Sequence, residues 1–171
     1  SNRSDRTFDL LMTNINTYRL IKNKYTKKPL DGSGGLHVEG RWHSKGKAII
    51  YSSESIALAK MEILTRLGGE RPPINNYSVF KFIFDEADMC RLKQSELPDQ
   101  WDAWPHGEGT QIIGDDWIDQ GKYLALSVPS ATEPRERNIL INPLHSKIRT
   151  VKATDIGLAM FDSRLFSKEK D

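Results

Sequence analysis

Cysteine is almost absent: Cys90 is the one thiol in 171 residues. That excludes an intrachain disulfide and a thiolate zinc cluster, and it fits a reducing compartment, so a cytoplasmic protein is expected. Long apolar runs are also missing. No stretch approaches the ~20 residues of a membrane helix, and the start, Ser1-Asn2-Arg3-Ser4-Asp5-Arg6, is polar and lacks the apolar core of a secretory signal. Charge of one sign is not in excess either. Twenty-five Lys and Arg stand against 23 Asp and Glu, a net of +2, which argues against a protein that holds nucleic acid by charge. No glycine-rich loop joins a strand to a helix, so neither a P-loop nor a dinucleotide fingerprint is present. No Gly-x-Ser-x-Gly elbow occurs. The histidines, His37, His43, His106 and His145, lack the close spacing of a zinc motif, and no metal is expected.

The remaining pattern is rich in short β-type runs. Lys47–Tyr51, Tyr77–Phe84, Lys122–Val128 and Asn138–Ile141 carry branched and aromatic residues, and Ile148–Val151 is a weaker fifth. Two helices stand out. Ser55 is placed to cap the segment from Ile56 to Leu67, which Gly68-Gly69 ends, and a second helix is predicted between Thr110 and Gln120. Phe8–Met12 suggests a short helical turn. The first seven residues and Ser167–Asp171 read as frayed ends. Strands outnumber helices and cluster, so the expected class is α+β, a single domain with a mixed β core and a few helices. Trp101, Trp104 and Trp117 are expected to cover the core edge.

Four places carry chemistry that packing alone does not ask for. Arg19 interrupts the apolar run Tyr18-Arg19-Leu20-Ile21. The glycine-dense segment from Gly32 to His43 ends in Gly40-Arg41-Trp42, where backbone can approach a ligand closely and a planar guanidinium can pair with phosphate. Glu62 lies at the edge of a helix's apolar face. A surface ion pair with Arg66, four residues on, explains it adequately and is the favoured reading from the residues alone. Last, Ser127-Val128-Pro129-Ser130-Ala131 precedes Arg137-Asn138-Ile139-Leu140-Ile141-Asn142-Pro143-Leu144-His145. There, hydroxyl, amide and imidazole groups punctuate strand ends, although turn chemistry alone accounts for Ser and Asn-Pro at such places. The residues by themselves reach as far as an anion or nucleotide site.

Taken in order, these segments resemble the RES domain family, the toxin component of RES–Xre toxin–antitoxin pairs, named for an Arg, Glu and Ser signature. The matching pieces are Tyr18-Arg19-Leu20, Gly34-Gly35-Leu36 with Gly40-Arg41-Trp42, Ile50-Tyr51, and Met61-Glu62-Ile63-Leu64. Val128-Pro129-Ser130-Ala131, Asn138 to His145, and Phe161-Asp162-Ser163-Arg164-Leu165-Phe166 follow. The resemblance spans residues 18–166 and leaves residues 1–17 as an N-terminal extension and 167–171 as a tail. It implies an ADP-ribosyltransferase-like fold and an enzyme that takes NAD+ as substrate and cleaves the bond between nicotinamide and ribose. Arg41, Glu62 and Ser130 are then the catalytic signature. Arg19, Arg41, Tyr51, Ser130 and Asn138 bind the dinucleotide, and His145 matches the pattern without a stated role. With the resemblance added, the reading of Glu62 reverses from surface ion pair to site carboxylate. The acceptor stays open between water, phosphate and a protein side chain. NAD+ depletion is the first choice and target ADP-ribosylation the second. A nucleotide- or partner-binding module without turnover is a further alternative, with the basic Lys22–Lys28 stretch as its docking surface. The implied partner is an Xre-like antitoxin, with a homodimer of the chain inside a larger complex, and no direct contact to nucleic acid or membrane.

Overall fold

Alternating aromatic and branched residues build the longest strand. In Tyr77–Asp85, Phe80, Phe82 and Phe84 join one apolar cluster while Tyr77 and Val79 join another, as the two-residue period of a strand requires. The computed structural model describes residues 13–73 and 76–166. The frayed ends expected at residues 1–7 and 167–171, and the turn expected at Phe8–Met12, lie outside the described residues.

The strands are β1 (Asn14–Lys22), β2 (Ile50–Ser53), β3 (Tyr77–Asp85), β4 (Met89–Arg91), β5 (Ala125–Pro129), β6 (Arg137–Ile141) and β7 (Lys152–Leu158). They form one sheet of seven in the order β4-β5-β6-β2-β1-β3-β7. The β4–β5 pair is parallel and the others are antiparallel. Three α-helices accompany it among the described residues: α1 (Gly34–His37), α2 (Ile56–Arg66) and α3 (Glu108–Gln120). None of them is long and apolar enough to cross a membrane. The α+β class expected from the run of strands is the one observed.

The expected elements shift where turn chemistry competes. Lys47–Ile49 does not start β2, because the backbone there is bonded to the glycine segment: Gly46 N donates to Gly35 O and Ile49 N to Gly32 O. β5 begins at Ala125, later than expected. Gly121 ends α3 in a left-handed turn (φ 60°), and Trp117 Nε1 takes the Tyr123 carbonyl. Ile148–Val151 is not a strand. Ser146–Thr150 forms a 3-10 turn whose first residues are held by His145 Nδ1 accepting from Lys147 N, and the strand follows as β7. The first strand starts at Asn14, and Thr17 within it is fully buried, ahead of the domain start expected at Tyr18. Trp117 is buried and Trp101 packs against the core as expected, but Trp104 is 82% exposed and meets His106 edge-on instead of covering the core.

Register places two separate apolar clusters on one face of the sheet. Leu126, Val128 and Leu140 pack with Trp42 and Trp117 at the β5–β6 end, under α3. Leu20, Val79 and Tyr77 pack with Ala59 and Ile63 of α2 at the β1–β3 end. Between them lie Tyr51 opposite Leu140, Ser53 opposite Asn138, and Tyr18 opposite Ser53. This polar seam between two apolar patches is where the fold leaves a cleft.

Candidate functional site

A cleft opens in that seam, lined by Arg19, Tyr51, Ser53, Glu62, Arg66 and Asn138 together with apolar residues of β1 and α2. Its carboxylate comes from α2. Ser55 starts that helix by accepting from Leu58 N at 3.0 Å, a cap that contributes about 1 kcal/mol. Leu58, Ala59 and Ile63 face the core. Glu62, one turn on from Leu58 and Ala59, therefore sits at the margin of the buried face with its head over the seam.

There the carboxylate is held by two long-range donors. Glu62 Oε1 accepts from Ser130 Oγ at 2.7 Å and from Asn138 Nδ2 at 2.7 Å. Ser53 Oγ donates to Asn138 Oδ1 at 2.9 Å, which fixes the amide's orientation. Ser130 is fully buried, and its oxygen also accepts from Thr132 N and Glu133 N at 3.0 and 3.1 Å. The hydroxyl expected to face a ligand is instead turned onto Glu62 and used on every side. Among the described residues no group hydrogen-bonds Glu62 Oε2, and no ion pair joins Glu62 to Arg66. The surface-pair explanation of Glu62 is therefore set aside.

Arg19 reaches from β1 to donate Nη1 to the Tyr51 carbonyl at 2.6 Å. Burial, and then the neighbouring Arg66 charge, push its guanidinium down to about 10, so it stays a cation at neutral pH. Arg41 is placed differently. Its Nη1 donates to the carbonyls of Trp101 and Ala103, both at 2.8 Å, and it is not one of the residues lining the cleft. Glu62 is the leading opposite charge acting on it. The structure thus brings together Arg19, Tyr51, Glu62, Ser130 and Asn138, with Arg41 tied to the Trp101 and Ala103 carbonyls. It leaves His145 apart, at the 3-10 turn.

Tyr51 is itself anchored by a residue that carried no role in the sequence. The Val38 carbonyl can only accept, so His43 Nε2, 2.8 Å away, carries the ring proton, and Nδ1 accepts from the Tyr51 hydroxyl at 2.6 Å. Trp42 N donates to the same hydroxyl at 3.3 Å. Burial pushes the Tyr51 phenol above its usual value, so it remains a neutral donor. Gly40 must be glycine here, since a Cβ would lie 2.6 Å from that hydroxyl. Besides His43, sequence reasoning missed Ser53. Its signal was parity: it lies two residues from Tyr51 and so shares its face of the strand.

His43 is 3% exposed, and burial lowers its pKa below the ordinary 6.5, outweighing the Val38 carbonyl, Asp115 and Glu39, which raise it. The unfolded chain then takes up a proton that the folded one refuses. Stability is expected to fall as pH drops through 6.5 and to level off below the folded pKa. Urea midpoints between about pH 8 and pH 5 check this. A His43→Asn protein that keeps the same pH slope rules His43 out as its source.

Comparison with known proteins adds sequence and fold relatives. A family model described as RES domain matches residues 16–162. Toxin Res of Photorhabdus laumondii is 32% identical over 90% of this chain and 98% of its own length. Prs ADP-ribosylating toxin of a Sphingobium species is 34% identical over 84% of this chain and 91% of its own. The crystal structure of the M. tuberculosis MbcT-MbcA toxin-antitoxin complex contains a chain that superposes with a TM-score of 0.65, covering 85% of this chain and 86% of that one. At 13% identity this likeness concerns the fold.

Proposed function

The chain belongs to the RES domain family, and on that premise we propose that it is a toxin that consumes NAD+ by breaking the bond between nicotinamide and ribose. The observation that carries this reading is the carboxylate of Glu62. One oxygen is pinned by Ser130 and Asn138 and the other is left to a cleft lined by an arginine and an aromatic ring.

The chemistry follows from the charges. Nicotinamide is attached through a cationic nitrogen, so it leaves as a neutral base when the C–N bond electrons pass to the ring, and no strong acid is required. The ribose carbon is left as an oxocarbenium-like centre. Glu62 Oε2 stabilises that positive charge and accepts a hydrogen bond from a ribose hydroxyl. Ser130, Asn138 and Ser53 hold the carboxylate and so act as positioning residues. The Tyr51 ring, fixed through its hydroxyl, offers a face for nicotinamide to stack on. Arg19 meets phosphate. Arg41, tied to the Trp101–Ala103 backbone, sets the field behind Glu62 and holds the loop that closes that side. Water or phosphate then attacks the ribose carbon, the acceptor's proton leaves to solvent, and ADP-ribose or its 1″-phosphate is the product.

A second reading, transfer of ADP-ribose to a protein, is favoured by the Sphingobium relative's name. It shares the same leaving-group step. The setting proposed is the cytoplasm, with an Xre-like antitoxin as partner. An antitoxin partner, whatever its type, is supported by the toxin-antitoxin complex in which the fold relative was solved. Incubation of the purified protein with NAD+, with and without phosphate and with lysate protein, separates the outcomes by mass. Free nicotinamide with ADP-ribose or its 1″-phosphate is expected. ADP-ribose on protein selects the second reading, and undiminished NAD+ overturns both.

A further inference from the structure

Arg66 was weighed in the sequence only as a partner for Glu62, yet it lines the cleft together with Arg19. Position at the last turn of α2 accounts for a cation through the helix dipole. It does not account for a second cation beside it. Arg66 is close enough to Arg19 to be the leading charge acting on it. Among the described residues neither guanidinium forms an ion pair with a carboxylate, and Arg19 has one hydrogen bond, to the Tyr51 carbonyl. Glu62 and Glu70 each lie four positions from Arg66 and neither pairs with it; Glu62 has Oε1 committed to Ser130 and Asn138. Two neighbouring guanidiniums, one half-buried and the other exposed, repel each other unless an anion lies between them. Arg41, the other arginine expected to meet phosphate, spends its Nη1 on two backbone carbonyls away from the cleft lining.

We infer that Arg66 and Arg19 together form the subsite for the diphosphate of the dinucleotide, Arg19 as its inner wall and Arg66 as its solvent-facing jaw. This rests on the NAD+ reading above and assigns the donor's charged middle to the C-terminal turn of α2. It orients the substrate as well. With the diphosphate held at Arg66, one helical turn from Glu62, the nicotinamide ribose lies toward Oε2 and the adenosine toward the open side of α2.

Arg66 is exposed, so Arg66→Gln leaves the core untouched, and an unchanged melting temperature verifies that. Calorimetric titration with inorganic pyrophosphate and with ADP is expected to show binding weakened about tenfold or more by Arg66→Gln and largely restored by Arg66→Lys. KM for NAD+ rises by a similar factor with a smaller change in kcat. The preference for NAD+ over nicotinamide riboside, which has no diphosphate, drops about tenfold. Pyrophosphate and ADP binding unchanged in Arg66→Gln, in a protein that does consume NAD+, overturns the subsite and leaves the function standing. Weakened binding in a protein that consumes no NAD+ does the reverse.

Discussion

Glu62→Gln is expected to lower the turnover of NAD+ by about 10³-fold while leaving KM within a small factor. The substitution keeps the shape of the side chain. Its amide oxygen can still accept from Ser130 Oγ and Asn138 Nδ2, the two contacts that hold Oε1, so the fold loses little. What disappears is the negative charge facing the ribose carbon, which matters only once positive charge develops there. A residue engaged in an exposed helix pair would behave differently. Its loss costs about 0.3–0.5 kcal/mol of stability and nothing in rate. Product analysis under saturating NAD+ decides between the two, and a Glu62→Gln protein that retains more than about a tenth of the wild-type kcat removes Glu62 from the reaction.

The largest expected effect on stability lies away from the cleft, at Gly114. Helix propensity alone predicts that alanine improves an interior helical position by about 1 kcal/mol. At Gly114 an added Cβ would sit 1.6 Å from the Trp42 carbonyl oxygen and 2.7 Å from its carbon. Backbone cannot swing aside as a side chain can, so α3 must move off the segment below it, and overpacking of this kind costs about 3 kcal/mol or more. The clash therefore outweighs propensity, and the melting temperature of Gly114→Ala is expected to fall by roughly 6–12 °C. Gly34→Ala, where a Cβ meets open space, serves as the control and should stay within about 0.5 kcal/mol. A Gly114→Ala protein as stable as the control contradicts the packing described. The loss should reach the site as well, because α3 splints the stretch that carries Arg41. Gln111 Nε2 donates to the Gly40 and His43 carbonyls, Asp115 accepts from Ser44, and Lys47 pairs with Asp119.

Much of the frame was readable from local pattern. Ser55, the apolar spacing of Leu58, Ala59 and Ile63, and Gly68-Gly69 mark α2 within one residue of its observed end, because cap, period and terminator all act over a few residues. β3 and β6 were equally plain. β7 was not. Lys152-Ala153-Thr154-Asp155-Ile156-Gly157-Leu158 is an edge strand, mostly exposed, with glycine inside it and little alternation to detect. At the site, residue types were legible but partnerships were not. Arg66, four positions from Glu62, looked like its natural partner, while the groups that bind it are separated from it by 68 and 76 residues. Arg41 read as a free phosphate ligand because nothing local announces that the carbonyls of residues 60 and 62 positions on will claim it. Sheet register decided the first, and the packing of two loops the second.

Those separations also set the order in which the protein becomes active as it is made. Glu62 leaves the ribosome long before Ser130 and Asn138 do, and α2 by itself gives its carboxylate no fixed place over the seam. A growing chain that has not yet reached β6 therefore carries Glu62 without the groups that hold it. If it is the NAD+-consuming toxin proposed, its chemistry switches on only once β6 has been made and paired, which leaves time for a partner made alongside it to be present.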